Sequence, residues 1–291
     1  ALEGLTEPTL IGTALPADAA PTAPAALTGT VPAELTSTLA AAARHRGLTL
    51  NTLVRGAWAI ALGTLTGRDD VVFGAVVSGR DADVPGIDSQ VGLFINTVPV
   101  RVRWSPTERI TDVLLAHQRE QADLLGHQYL GLAEVHSLAG MEQLFDVLFV
   151  FENFPPGADG RAAGGLRITG TGESVEARTH FAASLQVFPG TELALRLQYD
   201  ERRVPVERAQ RLHEAFLSVL HELAADSDPP MGRLQLVTPA ERAALEQGWA
   251  ATSHPVRPST VAELLAQRAA AQPATVALVR EDEQLTFAEL D

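Results

Sequence analysis

Residues 71–103, VVFGAVVSGRDADVPGIDSQVGLFINTVPVRVR, set two apolar runs, 71–77 and 91–102, on either side of a polar loop. The first run barely alternates. A strand with one wet face alternates with a period of two, so this run predicts a strand covered on both faces, as in a parallel sheet. It stops at Ser78-Gly79-Arg80. The second run opens on Gly92 and carries one polar pair, Asn96-Thr97, inside its apolar part. Pro99 has no N–H to give to a ladder, which argues against a central position from there on. An amide within an apolar run must find hydrogen-bond partners or face a cavity. On burial alone, Asn96 reads as a satisfied structural amide.

Periodicity elsewhere predicts core helices over 50–66, 108–125 and 205–224, and a further helix over 31–46. Thr49 and Gly67 bound the helix over 50–66, and Trp58 sits on its apolar stripe, where packing is the expected role. Ser105-Pro106-Thr107-Glu108 reads as a capping box with proline at the first helical position. His117 falls on the apolar stripe of the helix that follows, as a core histidine would. A buried strand is expected over 144–151, with Asp146 its single charge. A lone buried carboxylate is costly, so Asp146 should pair with an Arg or accept backbone donors. Residues 181–199 read as a hairpin turning through Pro189-Gly190. Residues 1–10 look helical, 11–29 an extended connection, 166–169 a short strand in a long Gly-rich crossover, and 232–237 another short strand.

Composition narrows the function. The 291 residues, 46% hydrophobic and 20% charged, suit one or two globular domains. There is no cysteine, hence no disulfide or thiolate chemistry. A net charge of −14 argues against a nucleic-acid partner. No apolar run approaches a membrane span, so no membrane is expected and a cytoplasmic location is the simplest reading. The sequence carries no G-x-S-x-G, H-E-x-x-H, Walker or dinucleotide fingerprint.

The central stretch closely resembles the carboxy-terminal lobe of condensation domains of nonribosomal peptide synthetases. Their pattern is a strand ending in S-G-R, then G-[LF]-F-[IV]-N-T-x-P-x-R. Ser78, Gly79, Arg80, Gly92, Leu93, Phe94, Ile95, Asn96, Thr97, Pro99 and Arg101 stand in it. Further elements are similar in part: His127-Gln128 to the family's [HN]-Q, residues 144–155 with Asp146 and Asn153 to F-D-x-x-[FV]-x-[FL]-x-N-[YF]-P, and His180-Phe181 to H-[YF]-P-L. Leu285-Thr286-Phe287-Ala288-Glu289-Leu290 resembles L-T-[YF]-x-E-L, the first motif of adenylation domains. The resemblance implies a condensation-domain lobe at 1–237, a linker at 238–258 and the start of an adenylation domain at 259–291. The implied fold is α/β and chloramphenicol-acetyltransferase-like, a mixed sheet covered by helices.

The implied activity is amide formation between two thioesters. Donor and acceptor carrier domains bring them on phosphopantetheine arms into a tunnel between two lobes. The resemblance puts Ser78, Gly79, Arg80, Gly92, Phe94, Asn96, Thr97, His127 and His180 along that tunnel. It gives Asp146, Asn153 and Arg101 structural roles, and names the amino-terminal lobe and the downstream adenylation domain as further partners. The family's H-H-x-x-x-D-G, which holds its catalytic histidine, is absent from these 291 residues. Alone the chain is therefore expected to be inactive, with no cofactor or metal of its own and with its apolar surface around 91–97 partly exposed. A folded but non-catalytic interaction module, or an epimerisation-type domain of the same fold, is the alternative.

Overall fold

The computed structural model describes every residue except 17–19, 21, 81–85, 153–179, 226, 235, 238, 250–258 and 291. The chain divides into two compact units, Ala1–Pro239 and Ala240–Asp291.

The first unit is built on a six-stranded mixed sheet of β1 (Ala25–Val31), β2 (Asp70–Val77), β3 (Asn96–Arg103), β4 (Val147–Phe151), β5 (Ala183–Phe188) and β6 (Leu193–Tyr199). Their order is β1-β6-β5-β4-β2-β3. β4 runs parallel to both β2 and β5, and the other pairings are antiparallel. Helices α1 (Ala33–His45), α2 (Leu50–Thr66), α3 (Ile110–Asp123), α4 (Leu132–Ala139) and α5 (Val206–Ala224) complete the unit.

The non-alternating run of β2 has a direct cause. Val71, Phe73 and Ala75 join the main core with Leu53, Val54, Ala57 and Trp58 of α2 and with Leu212, Phe216 and Val219 of α5. Val72 points the other way, into a smaller cluster with Phe145 and Leu148, against which Leu132 and Val135 of α4 and Leu2 and Leu5 pack. Gly74 shares that second face. A Cβ there would lie 2.5 Å from the Phe145 ring, so only glycine admits the ring. In the main core Trp58 meets Phe216 edge-on at 6.1 Å, a buried aromatic pair as its stripe position implies.

The helix over 50–66 is capped as its sequence indicates: the Thr49 hydroxyl accepts from the Thr52 N–H, and Gly67 closes it at φ 69°. Pro99 lies on β3, an edge strand, where a missing donor is tolerated. The hairpin over 181–199 is present as β5 and β6.

Several expectations are corrected. Residues 1–10 are not helical; they run across the sheet, with Thr9 bridged to Phe145 and its hydroxyl accepting from the Val72 N–H. Within the supposed connection 11–29, a strand begins: β1 pairs with β6 along its whole length. Its alanines and glycine dilute the strand signal of Leu27, Thr28, Thr30 and Val31, and pairing with β6 specifies it. Only half of the Ser105–Glu108 box forms: the Glu108 carboxylate accepts from the Ser105 N–H at 2.5 Å, but the Glu108 N–H goes to the Ser105 carbonyl and closes a turn. α3 starts only at Ile110, where Asp228 from a distant loop accepts from the Thr111 N–H. α3 ends at Asp123, and a short 3-10 turn, Leu125–His127, follows. The strand expected at 232–237 is replaced by a 3-10 turn, Met231–Arg233. β3 begins at Asn96, not at residue 94 or earlier, and β4 begins at Val147, not at 144. The short strand expected at 166–169 and the site residue Asn153 lie outside the described residues.

The second unit starts within α6 (Pro239–Ala244), which continues as a π-helical stretch, Leu245–Trp249. α7 (Val261–Ala271) opens on a complete capping box between Thr260 and Glu263. β7 (Val276–Arg280) and β8 (Glu283–Thr286) form a hairpin, and α8 (Phe287–Leu290) follows with Glu289 accepting from both the Thr286 N–H and its hydroxyl. Ala269 is the only buried apolar residue among those described there, while Val261, Val279 and Leu285 are exposed.

Candidate functional site

The C-terminal ends of β2 and β4 lie side by side, because the two strands are parallel neighbours. β3 begins at the same edge, with Val77 opposite Asn96. An open cleft of about 670 Å³ occupies this end of the sheet. Val76, Val77, Phe94, Ile95, Val150 and Phe151 supply its apolar walls, and Asn51, Arg55, Ser78, Arg80, Gln128 and Glu152 its polar ones.

Sequence-predicted residues build much of this wall, chiefly by holding backbone in place. Gly79 adopts φ +66°, and a Cβ there would lie 1.8 Å from the Phe94 carbonyl oxygen. Two chain segments therefore touch at a point that only glycine allows. Arg80 stacks its guanidinium 4.6 Å above the Phe94 ring and donates to the carbonyls of Ile87 at 2.6 Å and Gln90 at 3.1 Å. It fixes the loop that carries Gly92 and Phe94. Gly92 faces the same ring, its Cβ position 3.2 Å away.

Asn96 is fully engaged. Its Nδ2 donates to the carbonyls of Gln128 at 2.7 Å and Leu130 at 2.8 Å, and its Oδ1 accepts from the Thr97 N–H at 2.9 Å. The satisfied amide anticipated from burial is present, and its work is to fasten the His127–Leu130 segment to the start of β3. His127 is exposed and lines a neighbouring cleft of about 400 Å³ with Val98, Pro99, Leu124 and Leu130. Gln128 borders both clefts, and its Oε1 is buried without a partner.

His180 is not brought to this end. It directly precedes β5, which runs parallel to β4, so it sits at the opposite, N-terminal end of these strands. There its ring packs 4.1 Å from that of Phe181, and its carbonyl accepts from Arg203. Asp146 is buried at the same end. It accepts from the Ile11 and Gly12 N–H groups, each at 2.9 Å, and pairs with Arg203 at 3.3 Å. Burial pushes its carboxyl upward, against the pull of those donors and of the Arg203 charge. Arg101 lies on the edge strand and forms a two-pronged pair with Asp70, at 2.8 and 2.6 Å, while its third nitrogen reaches the Glu3 carbonyl. The Asp70 hydrogen bond holds this guanidinium protonated even more firmly than usual.

Arg55 belongs to none of the sequence motifs, although it is the one charge in the helix LNTLVRGAWAIALGTLT. Its Nε donates to Nε2 of His117 at 3.0 Å. Burial, reinforced by the Arg55 charge, holds His117 neutral, its pKa lowered to about 3. Burial also lowers Arg55 to about 10. Glu152, at the end of β4, is pushed upward by desolvation alone. Among the described residues no cluster of His, Cys, Asp or Glu could hold a metal ion, and no helix is long and apolar enough to cross a membrane.

Residues 6–246 match the family model described as "Condensation domain". The chain is 35% identical over 259 residues to a linear gramicidin synthase from Brevibacillus parabrevis, covering 87% of this chain and 3% of that protein. It is 36% identical over 249 residues to vanchrobactin synthetase VabF of Vibrio anguillarum, covering 84% of this chain and 8% of that one. It thus spans a small fraction of the curated relatives it matches. In fold it resembles holo-AB3403, a four-domain nonribosomal peptide synthetase crystallised with AMP and glycine. The TM-score is 0.69 at 15% identity, covering 92% of this chain and 22% of that one. It also resembles the first condensation domain of the calcium-dependent antibiotic synthetase, with a TM-score of 0.61 at 20% identity, covering 74% and 47%. With its sheet, its motifs and this match over most of its length, the chain belongs to the condensation-domain family of nonribosomal peptide synthetases.

Proposed function

We propose that the first unit forms one wall of a channel in which two carrier-bound thioesters meet and an amide is made. One observation carries this reading: Ser78 and Arg80 of S-G-R, the G-L-F run and Gln128 of H-Q, up to about fifty residues apart, converge on one cleft at one end of the sheet. In the reaction, the acceptor amine attacks the donor thioester carbonyl, the C–S bond breaks, and the amine proton leaves with the departing thiol. The resemblance to the family assigns the proton-handling histidine to a lobe bearing H-H-x-x-x-D-G, which in this reading supplies the opposite wall. The exposed side chains of Val91, Leu93 and Ile95, at 103%, 90% and 62% of full exposure, suit a face that such a lobe covers. Phosphopantetheine enters on the carrier partners. In this reading 238–258 is a linker, and β7, β8 and α8 begin an adenylation domain.

The test is dipeptide formation from two loaded carrier proteins, followed by mass spectrometry. The 291-residue chain should give none, and the chain fused to an amino-terminal condensation lobe should give product. Product from the chain alone, or none from a well-folded fusion, overturns the proposal.

A further inference from the structure

The cleft holds charge and hydrogen-bonding capacity that the protein does not use. The Nε of Arg55 is occupied by His117, but the guanidinium makes no ion pair among the described residues. His117, held neutral, supplies no counter-charge. Elsewhere in the unit, Arg101 pairs with Asp70 and Arg203 with Asp146. Glu152 shares the cleft, yet among the described residues no ion pair joins it to Arg55, and no hydrogen bond engages its carboxylate. Two neutral acceptors, Asn51 Oδ1 and Gln128 Oε1, are buried in the same lining without a donor. Native proteins satisfy nearly all buried polar groups, so two buried acceptors without donors, beside a guanidinium and a carboxylate without ion partners, describe the complement of a ligand.

From these groups we infer that the cleft receives an aminoacyl group with an acidic side chain, its carboxylate on Arg55 and its N–H groups toward Glu152, Asn51 and Gln128. The inference rests on the channel reading above and names the substrate class of that channel. A guanidinium presents a flat fork that matches a carboxylate two-pronged, and among the described residues nothing occupies the two terminal nitrogens of this one. Val76, Phe94 and Val150 line the cleft with apolar surface, so a charge pair there is screened less than on an open polar surface. An aminoacyl thioester analogue on a pantetheine arm carries an amine and several amide N–H groups, which are the donors the three acceptors lack.

Calorimetric titration of the 291-residue chain with aspartyl-aminopantetheine and asparaginyl-aminopantetheine tests the assignment. The two probes differ only in the side-chain charge. The acidic probe should bind at least about tenfold more tightly. Arg55→Gln should abolish that preference, and Arg55→Lys should keep part of it. A purely structural Arg55 would weaken both probes alike. If Arg55→Gln fails to fold, the wild-type preference still decides the matter. Equal binding of both probes overturns the side-chain assignment and leaves the cleft as a channel wall. Binding of neither overturns the inference, and dipeptide formation by the fused two-lobe protein then decides the channel reading separately. Tight, Arg55-dependent binding of 4′-phosphopantetheine bearing no amino acid, without preference between the aminoacyl probes, would instead give Arg55 to the phosphate and overturn the inference.

Discussion

The two ends of the central strands hold buried polar groups in opposite ways. At the N-terminal end of β4, Asp146 is closed in by two backbone N–H groups and Arg203. At the C-terminal end, Arg55, Glu152, Asn51 and Gln128 surround a cleft with capacity left over. The first arrangement joins the segment at Ile11 to the sheet and to the loop before α5, and it is complete without anything else. The second is incomplete in the free chain. Buried polarity therefore serves stability at one end and is available for recognition at the other, and the distinguishing observation is satisfaction rather than burial.

Mutation should separate the ends by size of effect. Asp146→Ala strands the Arg203 charge and two backbone donors, and should cost about 3–5 kcal/mol. That lowers the melting temperature by roughly 10 °C or more. A loss below about 1 kcal/mol would remove the contrast. Asn96→Ala frees the segment at 128–130 by deleting three hydrogen bonds, and should cost about 1–3 kcal/mol. In the fused two-lobe protein it should also slow amide formation, since Gln128 lines the cleft. Hydrogen exchange at residues 128–131 should rise while exchange in α5 stays unchanged.

The Arg55–His117 pair gives a pH test. His117 has a pKa of about 3 in the folded chain against 6.5 when unfolded. The folded state resists a proton that the unfolded state takes up. The stability contributed is therefore fully present above pH 6.5 and is lost as pH falls from there toward 3. Within that window wild type should lose up to about 1.4 kcal/mol per pH unit more than His117→Gln. Parallel pH profiles of the two proteins would show that His117 is not held neutral. The smallest effect belongs to Glu152→Gln. Its carboxylate has no partner among the described residues and is penalised by desolvation, so its loss should leave stability within about 0.5 kcal/mol or raise it. A large loss would reveal a structural role and bring the two ends closer in character.

The sequence alone determined the buried strand at 71–77, the caps of the helix over 50–66, the hairpin at 181–199 and the need of Asp146 for partners. These follow from periodicity, local capping chemistry and the cost of burying charge, all of which act within a few residues. Residues of the S-G-R and G-L-F-I-N-T motifs, legible in the sequence, line the cleft. Tertiary structure alone decided the remainder. It made a strand of 25–31 by placing β6 beside it, and it moved the start of α3 to Ile110 by bringing Asp228 to Thr111. It set His180 at the wrong end for the cleft because β5 runs parallel to β4. It also turned Arg55 from one charge on an apolar helix into a cation of a cleft. No spacing rule could show this, because the groups that meet Arg55 there come from β2, β4 and the loops at 92–95 and 128. Local sequence carries propensity and capping, whereas non-local pairing sets register, strand direction and which unmet groups share a cavity.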